Sequence, residues 1–196
     1  MRVLIVAAFL FAAGPAFAAE SELPNPPDQA EVAAEATKAA RLDALFAELQ
    51  LAPTVTEGKA VERRILMEWI SSGDVEIDRM MNAALLAMDI RAFSAAIAVL
   101  DKIVAEKPDY AEGWNKRATV YYYVNEYGRS MADIQRTLAL EPRHFGALAG
   151  LGMIMQDTGN IPAAIAAFEQ AVAVNPSLEN LKAAIGQLKA RIGRDI

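Results

Sequence analysis

The 196-residue chain contains no cysteine. That absence excludes disulfide bonds, thiolate metal sites, thiol catalysis and lipid attachment at a cysteine. The net charge of −6 argues against nucleic acid as a partner, because phosphate backbones are bound by clustered Lys and Arg. Runs of β-branched residues bounded by turns are also missing, whereas Ala and Leu, strong helix formers, are abundant. The composition therefore predicts an all-α chain that forms one domain.

The ionisable residues form no recognisable catalytic arrangement. The single histidine, His144, has no second His and no Cys with which to bind a metal, and no Ser, acid or base surrounds it in a catalytic order. Gly150 and Gly152 lack the preceding strand of a nucleotide-binding motif, and close helix packing explains them better. We therefore expect a non-enzymatic protein with no catalytic residue, no metal site and no cofactor.

Residues 1–18 have the pattern of a secretory signal peptide. A basic residue, Arg2, precedes the apolar run of residues 3–13, and an Ala-Phe-Ala cleavage pattern ends at Ala18. The apolar run is shorter than the roughly 20 residues that a spanning helix needs. We expect cleavage after Ala18, export to a bacterial periplasm and no stable membrane insertion afterwards. The alternative is that the segment is kept as an anchor.

Prolines mark a constant period in the rest of the chain. Pro108, Pro142 and Pro176 are each 34 residues apart, and two helical patterns lie between consecutive prolines. Small residues occur where two helices must approach closely, and large apolar residues occur where helices interlock. One repeat alone would leave an apolar face that only a neighbouring repeat can bury. A plain helical bundle requires no such period, so the pattern predicts a solenoid of helix-turn-helix repeats.

The three copies resemble the tetratricopeptide repeat, whose pattern is W-x2-L-G-x2-Y, then A-x3-F, then P. The matching residues are Met80, Ala83, Ala84, Ala87, Ala96, Leu100, Ile103 and Pro108 in the first copy; Trp114, Ala118, Tyr121, Ile134 and Pro142 in the second; and Leu148, Leu151, Gly152, Ala164, Phe168, Ala171 and Pro176 in the third. The resemblance implies a right-handed α-solenoid with tetratricopeptide repeats at 77–110, 111–144 and 145–178.

The segments on either side of the repeats differ in composition. Residues 19–31 hold three prolines and four acids with one large apolar residue, which predicts a disordered linker. Residues 32–76 show two helical patterns separated by Pro53, and we interpret them as a helical hairpin. This hairpin is either a degenerate repeat or a cap that covers the open face of the first repeat. Residues 179–196 are expected to form a C-terminal capping helix.

In the tetratricopeptide family, the first helix of each repeat lines a concave groove in which peptides or partner helices bind. Carried over by position, the resemblance implies three rows of groove residues: Asp78, Met81, Leu85, Met88 and Asp89; Glu112, Asn115, Thr119, Tyr122 and Tyr123; and Gly146, Ala149, Met153, Gln156 and Asp157. These rows hold three Met, two Tyr, one Leu, four acids and no base.

Methionine provides an adaptable apolar surface, and tyrosine provides rigid contact area with a hydroxyl group. We therefore expect the groove to bind another protein or peptide through a partly apolar segment with basic flanks. The alternative interpretation is that the Met and Tyr side chains pack against the next repeat, and that the acids reflect only the overall charge.

A carboxylate clamp is not expected in this groove. Chaperone-binding members of the family grip a terminal carboxylate with Lys, Arg and Asn side chains placed around the groove. In this chain Met81, Leu85, Gly146 and Gly150 occupy matching places, and Lys116 is the only suitable residue.

Arg117 occupies a repeat position that normally faces the paired helix. A buried guanidinium needs a carboxylate or several carbonyl groups, because an unpaired buried charge is strongly destabilising. We predict that Asp133 is its partner, with Glu126 as the second candidate and a ligand-binding role as the alternative.

These observations predict a protein–protein interaction module, an adaptor or scaffold of the cell envelope that binds a peptide or partner helix in its groove. One alternative is an assembly factor that holds an unfolded client during export or cytochrome maturation. Another is a structural protein that self-associates through an exposed repeat face. The sequence does not predict the oligomeric state.

Overall fold

A computed structural model describes residues 29–193, with the side chains of all except residues 29–31, 35 and 36. Within that range the chain forms nine α-helices: α1 (Gln29–Leu51), α2 (Val55–Ile70), α3 (Val75–Asp89), α4 (Phe93–Glu106), α5 (Ala111–Tyr123), α6 (Tyr127–Leu140), α7 (Phe145–Asp157), α8 (Ile161–Val174) and α9 (Glu179–Ile192). None of the helices in this part of the chain is both long enough and apolar enough to span a bilayer.

The predicted all-α solenoid is confirmed. Helices α3 to α8 pack in three consecutive antiparallel pairs, and each pair also contacts the next. The predicted signal peptide lies outside the described residues, as do residues 19–28 of the predicted linker. The last three residues assigned to that linker, 29–31, belong to α1.

The turn inside each repeat has the same backbone geometry. Arg91, Asn125 and Gly159 follow one another at the period of 34 residues and have left-handed φ angles of 57°, 62° and 81°. The N–H group of the next residue donates to a carbonyl five residues earlier, at 2.8 Å each time: Ala92 to Ala87, Glu126 to Tyr121, and Asn160 to Met155. This bond is the signature of a Schellman motif, which satisfies carbonyls at the helix end. The three helix pairs are therefore set in equivalent registers.

Gly152 explains how closely the third pair packs. A Cβ atom at this position would lie 2.4 Å from the ring of Phe168 on the paired helix α8. No side chain larger than hydrogen fits at that distance, so α7 and α8 depend on glycine here. This agrees with the packing interpretation of Gly152 from the sequence.

Helices α1 and α2 form the predicted hairpin, but it does not cover the open face of the first repeat, so the second of the two alternatives given for it is wrong. Its apolar face joins one buried cluster with α7, α8 and α9. The buried members of that cluster are Leu42, Leu45, Phe46, Leu49, Val61, Ile65, Trp69, Phe145, Leu148, Ala164, Ile165, Phe168, Ala171, Leu181 and Leu188. Hydrophobic spacing shows that a hairpin has an apolar face, but it does not show which surface that face covers.

Polar contacts attach the hairpin to the loops that follow all three repeats. The hydroxyl of Tyr110 donates to the carbonyl of Ile70 at 2.5 Å, and Arg143 pairs with Asp43 at 2.7 Å. The carboxylate of Glu62 accepts hydrogen bonds from the Nδ2 atom of Asn175 at 2.9 Å and the Oγ atom of Ser177 at 3.0 Å. The hairpin therefore lies along one edge of the solenoid.

The first repeat keeps an exposed stacking face as a result. Leu86 on α3 is 64% exposed, whereas its equivalents Val120 and Ile154 are 0% exposed beneath the preceding repeat. Val75 and Ile90 on the same stripe of α3 are also largely exposed. Among the described residues, no helix covers this face in the way that α4 and α6 cover α5 and α7.

Candidate functional site

The concave groove contains two adjoining cavities. The larger, between α3 and α5, has a volume of about 490 Å³ and is lined by Leu85, Met88, Asp89, Arg91, Phe93, Thr119 and Tyr123. The smaller, between α5 and α7, has a volume of about 140 Å³ and is lined by Asn115, Ala118, Thr119, Tyr122, Tyr123, Ser130, Ile134, Gly146, Ala147, Gly150 and Met153. Thr119 and Tyr123 belong to both, so the two cavities form one continuous groove.

A row of aromatic rings follows the groove at the turn end of the first helices. Phe93 stacks on Tyr123 with ring centroids 5.6 Å apart, Tyr123 lies 5.9 Å from Tyr122, and Tyr122 stacks on Tyr127 at 5.8 Å. Tyr123 is 57% exposed at the boundary of the two cavities. Large aromatic surfaces of this kind are enriched where proteins bind other proteins.

Asp157 fixes the end of the aromatic row. Its Oδ2 accepts hydrogen bonds from the hydroxyls of Tyr122 at 2.8 Å and Tyr127 at 3.2 Å. The hydrogen bond to Asp157, together with burial and the carboxylate's charge, raises the pKa of Tyr122 to about 12. Burial and the same carboxylate also raise the pKa of Tyr127. The two hydrogen bonds to one carboxylate hold the rings of Tyr122 and Tyr127 side by side.

Most of the groove residues predicted from the sequence line the cavities or lie beside them. Those that line a cavity are Leu85, Met88, Asp89, Asn115, Thr119, Tyr122, Tyr123, Gly146 and Met153. Gln156 and Asp157 are exposed near the end of α7.

Four predicted residues are placed elsewhere. Met81 is 1% exposed and belongs to the core of the first repeat, so it offers a partner no surface. Asp78 accepts the backbone N–H of Ser72 at 2.7 Å and closes the loop before α3. Ala149 packs against the cluster that holds the hairpin. Glu112 is 3% exposed, and its carboxylate is enclosed by the polar network described below.

The groove also contains residues that the sequence did not predict. Arg91 lines the larger cavity beside Asp89 and adds a base that the three predicted rows do not contain. Phe93 and Tyr127 complete the aromatic row. All three follow the first helix of their repeat, whereas the positions carried over from the family lie on that helix. The sequence carried no signal that places residues after the first helix in the groove.

Glu112 is the centre of a buried polar network between the second and third repeats. Its carboxylate accepts hydrogen bonds from Asn115 at 3.0 Å and His144 at 2.8 Å, and it pairs with Lys116 at 2.7 Å. The Nδ1 atom of His144 accepts the N–H of Ala147, so its Nε2 carries the proton that faces Glu112. Burial alone would raise the pKa of Glu112, but the bonds from His144 and the charge of Lys116 lower it to about 2.

The predicted ion pair of Arg117 is confirmed. Its Nε and Nη2 atoms each donate to Asp133 at 2.8 Å, which is the bidentate geometry of a strong pair. A second carboxylate, Asp101 on α4, accepts from Nη1 at 2.8 Å. Arg117 therefore ties α5 to its paired helix and to the preceding repeat, and it takes no part in the groove.

No family model matches the chain. A TPR (tetratricopeptide) repeat-containing protein of Rhizobium etli is 35% identical to it over 152 residues, which cover 78% of this chain and 74% of that protein.

Solved tetratricopeptide structures share the fold. The first such domain of Spaghetti (RPAP3), solved with the HSP90 peptide SRMEEVD, superposes with a TM-score of 0.57 at 13% identity and covers 60% of this chain and 93% of its own. MamA superposes with a TM-score of 0.56 at 20% identity, over 71% of this chain and 79% of its own. At 13% and 20% identity, these superpositions show a shared fold alone.

Proposed function

The chain belongs to the tetratricopeptide repeat family, and we propose that it is a non-enzymatic interaction module whose concave groove binds another polypeptide. The observation that carries the proposal is the exposed aromatic and methionine surface of the groove. Tyr121 is buried and serves the core, whereas Tyr123 is 57% exposed. The ring of Tyr123 is therefore available for contact with a partner. The Spaghetti domain, which has a similar fold, holds a peptide, and this supports a peptide-binding role.

We propose that the partner segment is partly apolar. Met88, Leu85 and Tyr123 border the larger cavity and offer contact area without a fixed polar pattern. Basic flanks would face Asp89 and Asp157 at the rim. Three of the four acids that the family positions place in the groove accept hydrogen bonds within the protein: Asp78, Glu112 and Asp157. Of these, only Asp157 is exposed at the rim, so the attraction for basic residues depends on Asp89 and Asp157.

A matched pair of variants tests the groove. The groove variant carries Met88→Ser and Tyr123→Ser, and the control carries Leu66→Ser and Met67→Ser, which are exposed on α2 outside the groove. Cross-linked partners should be recovered with the wild type and the control and lost from the groove variant, after all three are shown to be equally helical. Recovery of the same partners with every protein would contradict the proposal.

We also propose that the protein acts in the bacterial cell envelope. The proposal rests on the pattern of residues 1–18, with a basic start, an apolar run and a small-residue cleavage site. Expression of the full chain in a Gram-negative host, followed by fractionation and intact-mass measurement, tests it. A periplasmic product that begins at Ala19 is the expected result, and a cytoplasmic product that keeps Met1 would overturn it.

Self-association is a second candidate function, and the exposed face of α3 favours it. Leu86 is 64% exposed at a position that is buried in the other two repeats, and Ile90, directly after α3, is 68% exposed beside it. Sedimentation velocity at increasing concentration should then show dimers or larger species for the wild type. The double variant Leu86→Ser and Ile90→Ser should remain monomeric. A wild type that is monomeric at every concentration would reject this candidate.

A further inference from the structure

The smaller cavity of the groove is a narrow slot that two glycines keep open. Gly146 and Gly150 lie one helical turn apart on α7 and face α5 across the slot. The other walls include the rings of Tyr122 and Tyr123 and the side chain of Met153. Because Gly150 carries no side chain, the space between α7 and Ile134 stays empty along this turn.

Among the described residues, the slot offers a ligand no charged side chain, and three of its four hydroxyl groups donate within the protein. The hydroxyl of Ser130 donates to the carbonyl of Ala118 at 2.8 Å, and that of Thr119 donates to the carbonyl of Asn115 at 2.9 Å. The hydroxyl of Tyr122 is committed to Asp157. A carboxylate placed here would lose its hydration and meet no cationic side chain in the described lining.

The side chain of Asn115 is another polar group of the slot that bonds within the protein. Its Nδ2 atom donates to Glu112 at 3.0 Å, and its amide is held at the edge of the slot. Asn115, Thr119, Tyr122 and Ser130 therefore use their polar groups in hydrogen bonds within the protein. What remains facing the slot is chiefly carbon: the alanine methyl groups, the end of Ile134, the tyrosine rings and Met153.

The size of the slot matches one side chain. Its volume is about 140 Å³. Apolar cavities of about 150 Å³ accept a benzene-sized group, whereas pockets for drug-sized ligands begin at about 300 Å³. The slot is therefore too small for a drug-sized molecule and large enough for a Leu, Ile, Met or Phe side chain.

We propose that this slot binds one uncharged, large apolar side chain from the polypeptide that occupies the groove, and that Gly146 and Gly150 determine this specificity. The inference rests on the proposed function, since it assigns the chemistry of one subsite of the same groove. It predicts a partner recognised through an internal apolar residue, and not through a terminal carboxylate.

Filling the slot tests the proposal. A leucine at position 150 would enter the slot, because a Cβ atom there would meet only the Cδ1 atom of Ile134, at the ordinary contact distance of 3.5 Å. Gly186→Leu is the matched control, since Gly186 lies in the exposed part of α9 and a Cβ atom there would meet nothing within 4 Å. The milder variant Gly150→Ala adds one methyl group to the slot if Gly150→Leu folds poorly. Position 146 is left unchanged, because a Cβ atom there would lie 3.3 Å from the His144 ring.

The probe is a phage-displayed library of random dodecapeptides, selected on the wild-type protein. The selected peptides should share one large apolar residue, and changing it to Ser should weaken binding about 10- to 100-fold. Gly150→Leu should weaken the same peptides by a similar factor, and Gly186→Leu should leave their affinity unchanged. Amidation of the peptide C-terminus should have no effect.

The outcomes separate the slot from the groove as a whole. Peptides that bind Gly150→Leu as tightly as wild type, but lose affinity with Met88→Ser and Tyr123→Ser, would overturn the slot assignment and leave the groove proposal standing. A dependence on the free C-terminal carboxylate would also overturn the slot assignment. Selected peptides that bind all variants equally would overturn both proposals.

Discussion

At the scale of single residues, Glu112 shows why position in a repeat does not reveal exposure. The family pattern places it on the groove surface, yet the structure buries it among Lys116, Asn115 and His144. Its partner His144 is 32 residues away in the chain, and Trp69, from the hairpin, stacks on that imidazole with ring centroids 4.1 Å apart. An alignment of the three repeats with one another does not predict contacts between residues so far apart in the chain.

The network makes a prediction about pH. Because the folded protein lowers the pKa of Glu112 to about 2, its ionised form stabilises the fold above the unfolded pKa. This contribution, on the order of 1 to 3 kcal/mol, is lost as pH falls from about 4.5 towards 2. Urea denaturation of the wild type and Glu112→Gln should show a clear difference in the free energy of unfolding at pH 7. The difference should shrink at pH 3, and one that is constant with pH would contradict this role of the carboxylate.

The two carboxylates of Arg117 make a second prediction. The side chain of Asp133 is 6% exposed and that of Asp101 is 51% exposed, although both contact the guanidinium at 2.8 Å. Asp133→Asn weakens a buried pair and should lower the free energy of unfolding by about 2 to 4 kcal/mol. Asp101→Asn changes an exposed pair and should cost less than about 1 kcal/mol. Thermal or urea denaturation measures both variants. Equal losses in the free energy of unfolding would show that burial does not determine the strengths of these two ion pairs.

At the scale of helices, the period predicted more than the presence of repeats. It also predicted which residues are equivalent. Arg91, Asn125 and Gly159 are equivalent by the period, and all three have left-handed φ angles although the residue types differ. The period could not predict the groove residues that follow the first helix, because the family positions end there. It also could not predict that the stacking face of α3 stays exposed, since that depends on where the hairpin packs.

The equivalence of positions makes a third prediction. Leu86 and Ile154 occupy the same place in the first and third repeats, with exposures of 64% and 0%. Ile154→Ala should lower the free energy of unfolding by about 2 to 5 kcal/mol, because it leaves a cavity in the core. Leu86→Ala should cost less than about 1 kcal/mol in the monomer, since the side chain is mostly in water. Similar costs for both would mean that the face of α3 is covered in solution.

At the scale of the whole molecule, the hairpin and the groove occupy different parts of the solenoid. The hairpin contacts the loops after all three repeats, through Tyr110, Arg143 and Ser177, whereas the residues that line the groove come from the segment between Leu85 and Met153. The docked hairpin therefore supports the solenoid without filling the cavities. Hydrophobic spacing predicted the hairpin itself. It could not predict where the hairpin packs, because that depends on how its surface fits helices that lie far away in the sequence.

The most direct test of a polypeptide-binding groove is site-specific photocross-linking in living cells. A photoreactive phenylalanine analogue replaces Tyr123 in the groove or, as a control, Gln135, which is exposed on α6. Discrete polypeptide adducts are expected from position 123 and none from position 135. Adducts from position 135 with none from position 123 would contradict a polypeptide-binding groove.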